Sequence, residues 1–263
     1  MDLQPGDGDP WEVHAGWWQD EFTEGADPEY EEQILPLATE HLAGARRVLD
    51  VGTGEGQVAR LAAGAGAEVV VGLDPTWAQL ELARTRAGGP AYLRGAAATL
   101  PFPDGSFDAA VACLVFEHIE DYREAIAEVG RVLRPGGRFL FFLNHPLLQT
   151  PGSGWIDDHI LDEQYWRIGP YLVEDLAMEE VAPGVRLPFI HRPLSRYVNT
   201  MSEAGLLIER MEEPAPPPGF LARAAEYQEA ASIPRLLFLL ARKRSWGRMP
   251  SAETGTSGPT ARA

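Results

Sequence analysis

The chain has 263 residues and 28.8 kDa, and its 45% hydrophobic content is too high for wholesale disorder and suits one large domain or two small ones. Acidic residues outnumber basic ones 39 to 22, giving a formal charge of −17 without the basic footprint of a nucleic-acid binder. One cysteine, Cys113, excludes an intramolecular disulfide and a Cys-rich zinc site; no stretch nears the ~18 apolar residues of a membrane span, and the acidic, polar start does not read as a secretory signal, so a cytoplasmic chain is expected.

Twelve acidic residues precede the first basic one, Arg46, and read as a solvated face. Residues 46–51 form a short β-branched and apolar run ending at Asp50-Val51, and a helix over 57–63 opens from the glycines that follow. A second buried strand covers 68–73, and Thr76 is placed to cap a helix over 77–86 that turns Leu80, Leu82 and Ala83 to one side. Short strands at 91–94 and 107–114 follow, the latter entered through the turn Pro103-Asp104-Gly105-Ser106. Ile126, Val129 and Leu133 mark a helix over 121–133, which Pro135-Gly136-Gly137 should stop before a strand at 138–143. Further on come a helix at 194–204, a strand at 206–210 and, past the Pro-rich stretch 214–219, the apolar run 234–242. That run is too short to span a bilayer and reads as a final buried strand. Strands apolar on both faces and separated by helices make an α/β fold, a mostly parallel sheet covered on both sides. Residues 1–10 and 246–263 read as terminal tails, and no repeat is apparent.

The strongest chemical signal is Asp50-Val51-Gly52-Thr53-Gly54-Glu55-Gly56, a strand running into three glycines from which a helix leaves. Glycines there let a ligand touch the backbone, and the helix start offers free N–H groups. A dinucleotide fingerprint would need its third glycine at position 57, which is Gln; Asp74, at the end of the second strand, stands where a ribose hydroxyl can be gripped.

With these residues stand three further blocks: Leu100-Pro101-Phe102-Pro103-Asp104-Gly105-Ser106-Phe107-Asp108, Phe116-Glu117-His118-Ile119 and Val132-Leu133-Arg134-Pro135-Gly136-Gly137. In this order, over roughly residues 45–145, the chain resembles the Rossmann-like S-adenosylmethionine-dependent methyltransferases of small-molecule type. The resemblance implies a seven-stranded sheet with an antiparallel last strand, S-adenosyl-L-methionine as cofactor and S-adenosyl-L-homocysteine as product. It implies that Gly52, Thr53 and Gly54 face the methionine end, with Asp50 beneath. Asp74 would take both ribose hydroxyls, Pro75 would pack on the adenine, and Cys113 and Leu114 would lie beside the sulfonium. The acidic residue often found after the third strand is missing; Gly95-Ala96-Ala97-Ala98 stands there, so backbone groups at Ala96 and Ala97 would serve the adenine.

Methyl transfer from a sulfonium needs mainly alignment and exclusion of water, and a base only where the acceptor must lose a proton. His118 and His145, at the carboxyl ends of the fourth and fifth strands, are the candidate bases or positioning groups. Residues 146–192 are an aromatic-rich insertion that resembles an acceptor lid, with Trp155, Tyr165, Trp166 and His191 as candidate acceptor contacts; the alternative is that these aromatics form the segment's own core. Asp157-Asp158-His159 lacks the geometry of a metal site, since neighbours in an extended chain point apart. The acidic residues 1–30, with Trp17, Trp18 and Phe22, would cover cofactor or substrate, or dock the segment on the body; residues 31–245 would be the methyltransferase domain. The expected activity is methylation of an O, N or C nucleophile of a small molecule, with neither nucleic acid nor membrane as partner and a monomer or homodimer as the assembly. A protein or RNA methyltransferase and a non-catalytic cofactor-binding member are the rival readings.

Overall fold

Alternation of β-branched runs with amphipathic stretches yields alternation of strands and helices. A computed structural model describes residues 9–224 and 229–245; residues 1–8 and the tail expected at 246–263 lie outside them. Two short helices, α1 (Pro10–Val13) and α2 (Ala15–Phe22), lead through one widened turn at Tyr30–Ile34 into α3 (Leu35–Leu42). Then come β1 (Arg47–Val51), α4 (Gln57–Gly64), β2 (Val69–Asp74), α5 (Trp77–Thr85), β3 (Ala91–Arg94), β4 (Phe107–Cys113), α6 (Tyr122–Val132) and β5 (Leu133–Asn144). Two hairpins follow, β6 (Gly154–Asp158) with β7 (Glu163–Arg167) and β8 (Asp175–Ala182) with β9 (Val185–His191). The chain closes with α7 (Leu194–Glu203), β10 (Leu206–Glu212), α8 (Pro218–Arg223) and β11 (Leu236–Lys243).

Seven strands join in one sheet in the order β3-β2-β1-β4-β5-β11-β10. The first five are mutually parallel, and β11 runs antiparallel to β5 on one side and β10 on the other. This is the Rossmann-like α/β architecture with an antiparallel last strand. The apolar run Leu236-Leu237-Phe238-Leu239-Leu240 is buried because β11 is an inner strand, flanked on both edges and covered on both faces. No helix among the described residues is long and apolar enough to cross a membrane.

Each face of the sheet carries its own core. On one, Ile126 and Val129 of α6 and Tyr197 and Met201 of α7 pack over Phe139 and Phe141. On the other, Ile34, Ala38 and Leu42, then Val58, Ala59 and Ala62, then Leu80 and Ala83 cover Val48, Val111 and Phe142. Alanines recur on the helices of that second face, where small side chains let helices lie close to the strands.

Two local expectations need correction. The Pro135-Gly136-Gly137 segment does not lie between helix and strand: Leu133 already pairs with Phe107, and the triplet is a bulge inside β5 that shifts register before Ala109 meets Arg138. Gly136, at φ +78°, supplies the left-handed conformation that the bulge requires. Thr76 does occupy the N-cap position of α5, but its side chain makes no cap bond. The amide of Trp77 donates instead to Oε2 of Glu12 at 2.7 Å, so α1 supplies the cap from outside.

Candidate functional site

The carboxyl ends of β1, β2, β3 and β4 meet at one edge of the sheet, where the order leaves β1 in opposite directions toward β2 and β4. Open α/β sheets bind ligands at such a switch point. The loop after β1 turns on Gly52, Gly54 and Gly56, all at positive φ. At Gly52 a side chain would also overlap Val115, which follows β4, so the loop lies against the neighbouring strand's exit. Both Gly52 N–H and Thr53 N–H donate to the Leu73 carbonyl, at 2.7 and 3.0 Å. Asp74 holds the rest: its Oδ2 accepts the Gly54 amide at 2.9 Å and its Oδ1 the Thr76 amide at 2.8 Å. Asp50 accepts the Thr53 hydroxyl at 2.7 Å, and burial pushes its carboxyl up to about 7. Asp74 is also raised, by burial working against its two backbone donors.

These residues border a cavity of about 370 Å³. Gly52, Gly54, Leu73, Asp74, Pro75 and Ala96–Ala98 form one side of it, and Cys113, Leu114 and Val115 the floor. Leu114 sits at φ +53°, unusual for a branched side chain, as β4 turns away from the sheet. A smaller cavity of about 30 Å³ adjoins it, sharing Trp18, Gly52, Gly54 and Cys113 and adding Thr23, Tyr30, Asp50, Thr53, Glu55 and Gln57. There both amide atoms of Gln57 are buried without a hydrogen-bond partner. Cys113 points its thiol at the Tyr30 hydroxyl, 3.5 Å away, and burial drives its pKa far up, so it packs rather than reacts.

The roof of the larger cavity comes from the N-terminal helices and from the segment after β4. Trp11 and Trp18 line it, and so do His118, Ile119, Glu120 and Asp121. Trp18 also stacks on Phe22 at 4.2 Å, with Trp17 edge-on to both rings, so the N-terminal aromatics both cover the cavity and dock their own segment. His118 is clamped edge-on between Trp11 and Phe189, both at 4.6 Å. Its Nδ1 lies 2.7 Å from the Pro188 carbonyl and donates to it, which leaves the lone pair on Nε2; burial lowers its pKa to about 4 and keeps the ring neutral.

The ten residues expected at the cofactor, Asp50, Gly52, Thr53, Gly54, Asp74, Pro75, Ala96, Ala97, Cys113 and Leu114, all border one or the other cavity. The four residues expected to contact the acceptor, Trp155, Tyr165, Trp166 and His191, lie apart from both. Trp155 and Trp166 meet edge-to-face at 5.6 Å around a void of about 20 Å³ beside Phe220 and Arg235. Tyr165 is largely exposed, and His191 is buried with Nε2 donating to the Tyr171 carbonyl at 2.8 Å. His145 does not line the cavities either: Nε2 donates to Glu213 at 2.7 Å and Nδ1 accepts the Leu147 amide, so both nitrogens are engaged. Asp158 caps the β6–β7 turn through the amides of Ile160 and Leu161. Trp11, Gln79 and Gln57 are site residues that the sequence reading did not single out as binding groups; the spacing of Trp11 and Trp18, two helical turns apart, was the one available signal.

Known proteins share this arrangement. A family model described as "Methyltransferase domain" matches residues 49–141. The solved structure of an S-adenosylmethionine-dependent methyltransferase from Mesorhizobium loti is 31% identical, covering 79% of this chain and 96% of that one, with a TM-score of 0.69. The chain belongs to the S-adenosylmethionine-dependent methyltransferases. Among curated members of the family, an O-methyltransferase of Aspergillus nomiae is 37% identical over 134 residues, 48% of this chain and 60% of that one. A demethylmenaquinone methyltransferase of Deinococcus radiodurans is 43% identical over 114 residues, 41% and 46% of the two. The chain thus spans about half the length of the curated relatives it matches, while the residues that the family model matches include the glycine loop and Asp74.

Proposed function

We propose that this chain binds S-adenosylmethionine across the two joined cavities and transfers its methyl group to an O, N or C nucleophile of a small molecule. The observation that carries the reading is the match between polar groups and cofactor chemistry. Asp74 keeps lone pairs beyond its two backbone bonds, facing the larger cavity among apolar neighbours, as ribose hydroxyls require. The unpaired Gln57 amide offers a donor and an acceptor in the smaller cavity, and Asp50 a carboxylate, which suits the ammonium and carboxylate of an amino acid. Pro75, Ala96 and Ala97 give the larger cavity apolar surface that suits a base, and Cys113 borders both cavities.

Bound there, the cofactor supplies a methyl group already activated by a sulfonium. The chain's own work is to hold, orient and dry: the glycine loop fixes the amino-acid end, Asp74 the ribose, and Trp11 and Trp18 close the roof. Cover by Trp11 and Trp18 of the N-terminal helices fits a small acceptor better than a macromolecular one. Both curated relatives named above carry small-molecule names or O-methylation in theirs, and that supports the same class.

Calorimetric titration with S-adenosylmethionine and S-adenosylhomocysteine, with NADH as control, tests the cofactor. Binding of the sulfur pair alone is expected; no binding of either, or binding of NADH in their place, overturns the assignment. Transfer of a labelled methyl to small molecules then tests activity.

A further inference from the structure

We infer that the methyl acceptor is an uncharged aromatic hydroxyl compound whose O–H donates to Nε2 of His118. This rests on the cofactor reading above and adds the acceptor's chemistry to it. The Pro188 carbonyl can only accept, so it fixes the hydrogen on Nδ1 and leaves Nε2 with a lone pair and no hydrogen-bond partner among the described residues. A group meeting Nε2 must therefore bring a hydrogen. Trp11 and Phe189 each meet the imidazole edge-on at 4.6 Å, and a flip to offer the other nitrogen would break the Pro188 bond.

Charge narrows the class. Among the described residues no Lys or Arg lines the larger cavity, while Glu120 and Asp121 stand on its rim. A carboxylate or phosphate would find no cationic side chain to pair with, only two like charges and low-dielectric walls. A protonated alkylamine is welcome by charge but carries no free electron pair, and an imidazole held neutral by burial is far too weak a base to strip it. Around His118 the cavity lining is Trp11, Val115 and Ile119, flat or apolar, which favours an aromatic skeleton.

The step balances with groups at hand. An oxygen lone pair forms the new C–O bond to the methyl carbon; the C–S bond breaks, and its pair stays on sulfur as a neutral thioether. As the C–O bond forms, the hydroxyl becomes the strong acid of a protonated ether, so its proton passes downhill to Nε2 even though that nitrogen is a weak base. His118 is then a catalytic residue, and Phe189 and Pro188 position it.

The experiment uses the full chain with labelled S-adenosylmethionine and four probes: phenol, 2-naphthol, 6-hydroxy-2-naphthoate and 2-naphthylmethylamine. Transfer to a neutral phenol is expected, with kcat/KM at least tenfold lower for the hydroxynaphthoate and no transfer to the amine. Glu120→Lys should narrow the gap between naphthol and hydroxynaphthoate. His118→Ala should lower kcat on the neutral phenol about 100-fold or more, with the Kd for S-adenosylhomocysteine changed less than threefold. His118→Gln, whose amide oxygen can accept but not take the proton, should keep KM and lose kcat, which a merely structural histidine would not show. Equal use of the anionic or cationic probe, no transfer to either neutral phenol by a chain that binds S-adenosylhomocysteine, or an unchanged kcat in both His118 variants overturns the inference. Absence of S-adenosylhomocysteine binding in the unsubstituted chain brings down the cofactor reading first, and this one with it.

Discussion

At Asp74 one carboxylate oxygen accepts the Gly54 amide and the other the Thr76 amide, so a single side chain ties the glycine loop to the start of α5 before any ligand arrives. Ribose hydroxyls would use the lone pairs that remain. Asp74→Ala is therefore expected to weaken S-adenosylhomocysteine binding about 100-fold or more, since two charge-assisted hydrogen bonds are lost and the loop relaxes. Asp74→Asn, which keeps one acceptor oxygen, should fall between; calorimetry on both variants reads the difference, and an affinity unchanged by Asp74→Ala removes Asp74 from the ribose. Asp50 gives a pH signature. Its carboxyl, pushed up to about 7 by burial, is half-protonated near neutrality in the free chain. A cationic amino group beside it favours the charged form and lowers that pKa on binding. Affinity should thus rise from pH 6 to pH 8 and level off above, with protons released on binding at pH 7. Titrations in buffers of different ionisation enthalpy would show the release, and uptake of protons would contradict it.

Elements were legible in the sequence to the extent that local chemistry set them. The strand–glycine–helix unit at 46–63 stood out because a β-branched run, a left-handed turn and an amphipathic run follow one another without a gap. The insertion at 146–192 did not, because its two hairpins are half-buried or exposed along most of their length and, β7 apart, show no regular alternation, leaving aromatic composition as the only signal. That composition pointed to Trp155, Tyr165 and Trp166, whereas the insertion reaches the cavity lining through a carbonyl and one ring, Pro188 and Phe189, holding His118. A backbone carbonyl has no sequence signature. Arg192, at the end of the insertion, is similar: its guanidinium donates to the carbonyls of Phe116, Ile119 and Glu120 and lies 4.3 Å over the Tyr122 ring. It thereby fastens the segment that carries His118. Arg192→Lys loses the planar fork and leaves buried carbonyls unpaired, so a destabilisation of about 2 kcal/mol or more is expected in urea unfolding. A loss within ~0.5 kcal/mol would mean that the segment is held by its neighbours instead.

For the whole molecule, two independent features make stability fall as pH rises above the acid range. The chain carries a formal charge of −17, so ionising its surface carboxylates builds self-repulsion. Separately, burial raises Glu117 to about 7; its Oε1 accepts from Asn144, while its Oε2 is buried without a partner. A carboxyl whose folded pKa lies above its unfolded one stabilises the fold below the unfolded value, and that stabilisation is lost as pH climbs from about 4.5 to about 7. Asp50 adds to the loss with the same sign over the same window. The unfolding free energy of the ligand-free chain is accordingly expected to drop between pH 5 and pH 8, with Glu117 alone responsible for on the order of 1–3 kcal/mol. Salt separates the two causes. Surface repulsion is screened within a Debye length of about 4–5 Å near 0.5 M, whereas the cost of an ionised, desolvated carboxylate is nearly indifferent to ions that cannot reach it. Urea unfolding across this pH range should therefore keep most of its slope in 0.5 M sodium chloride and flatten in part in Glu117→Gln, the remainder staying with Asp50. A slope that vanishes in salt but survives the substitution would assign the pH dependence to the acidic surface and acquit the buried pair, even though nothing in the fold, the glycine loop or the cavity would need to change.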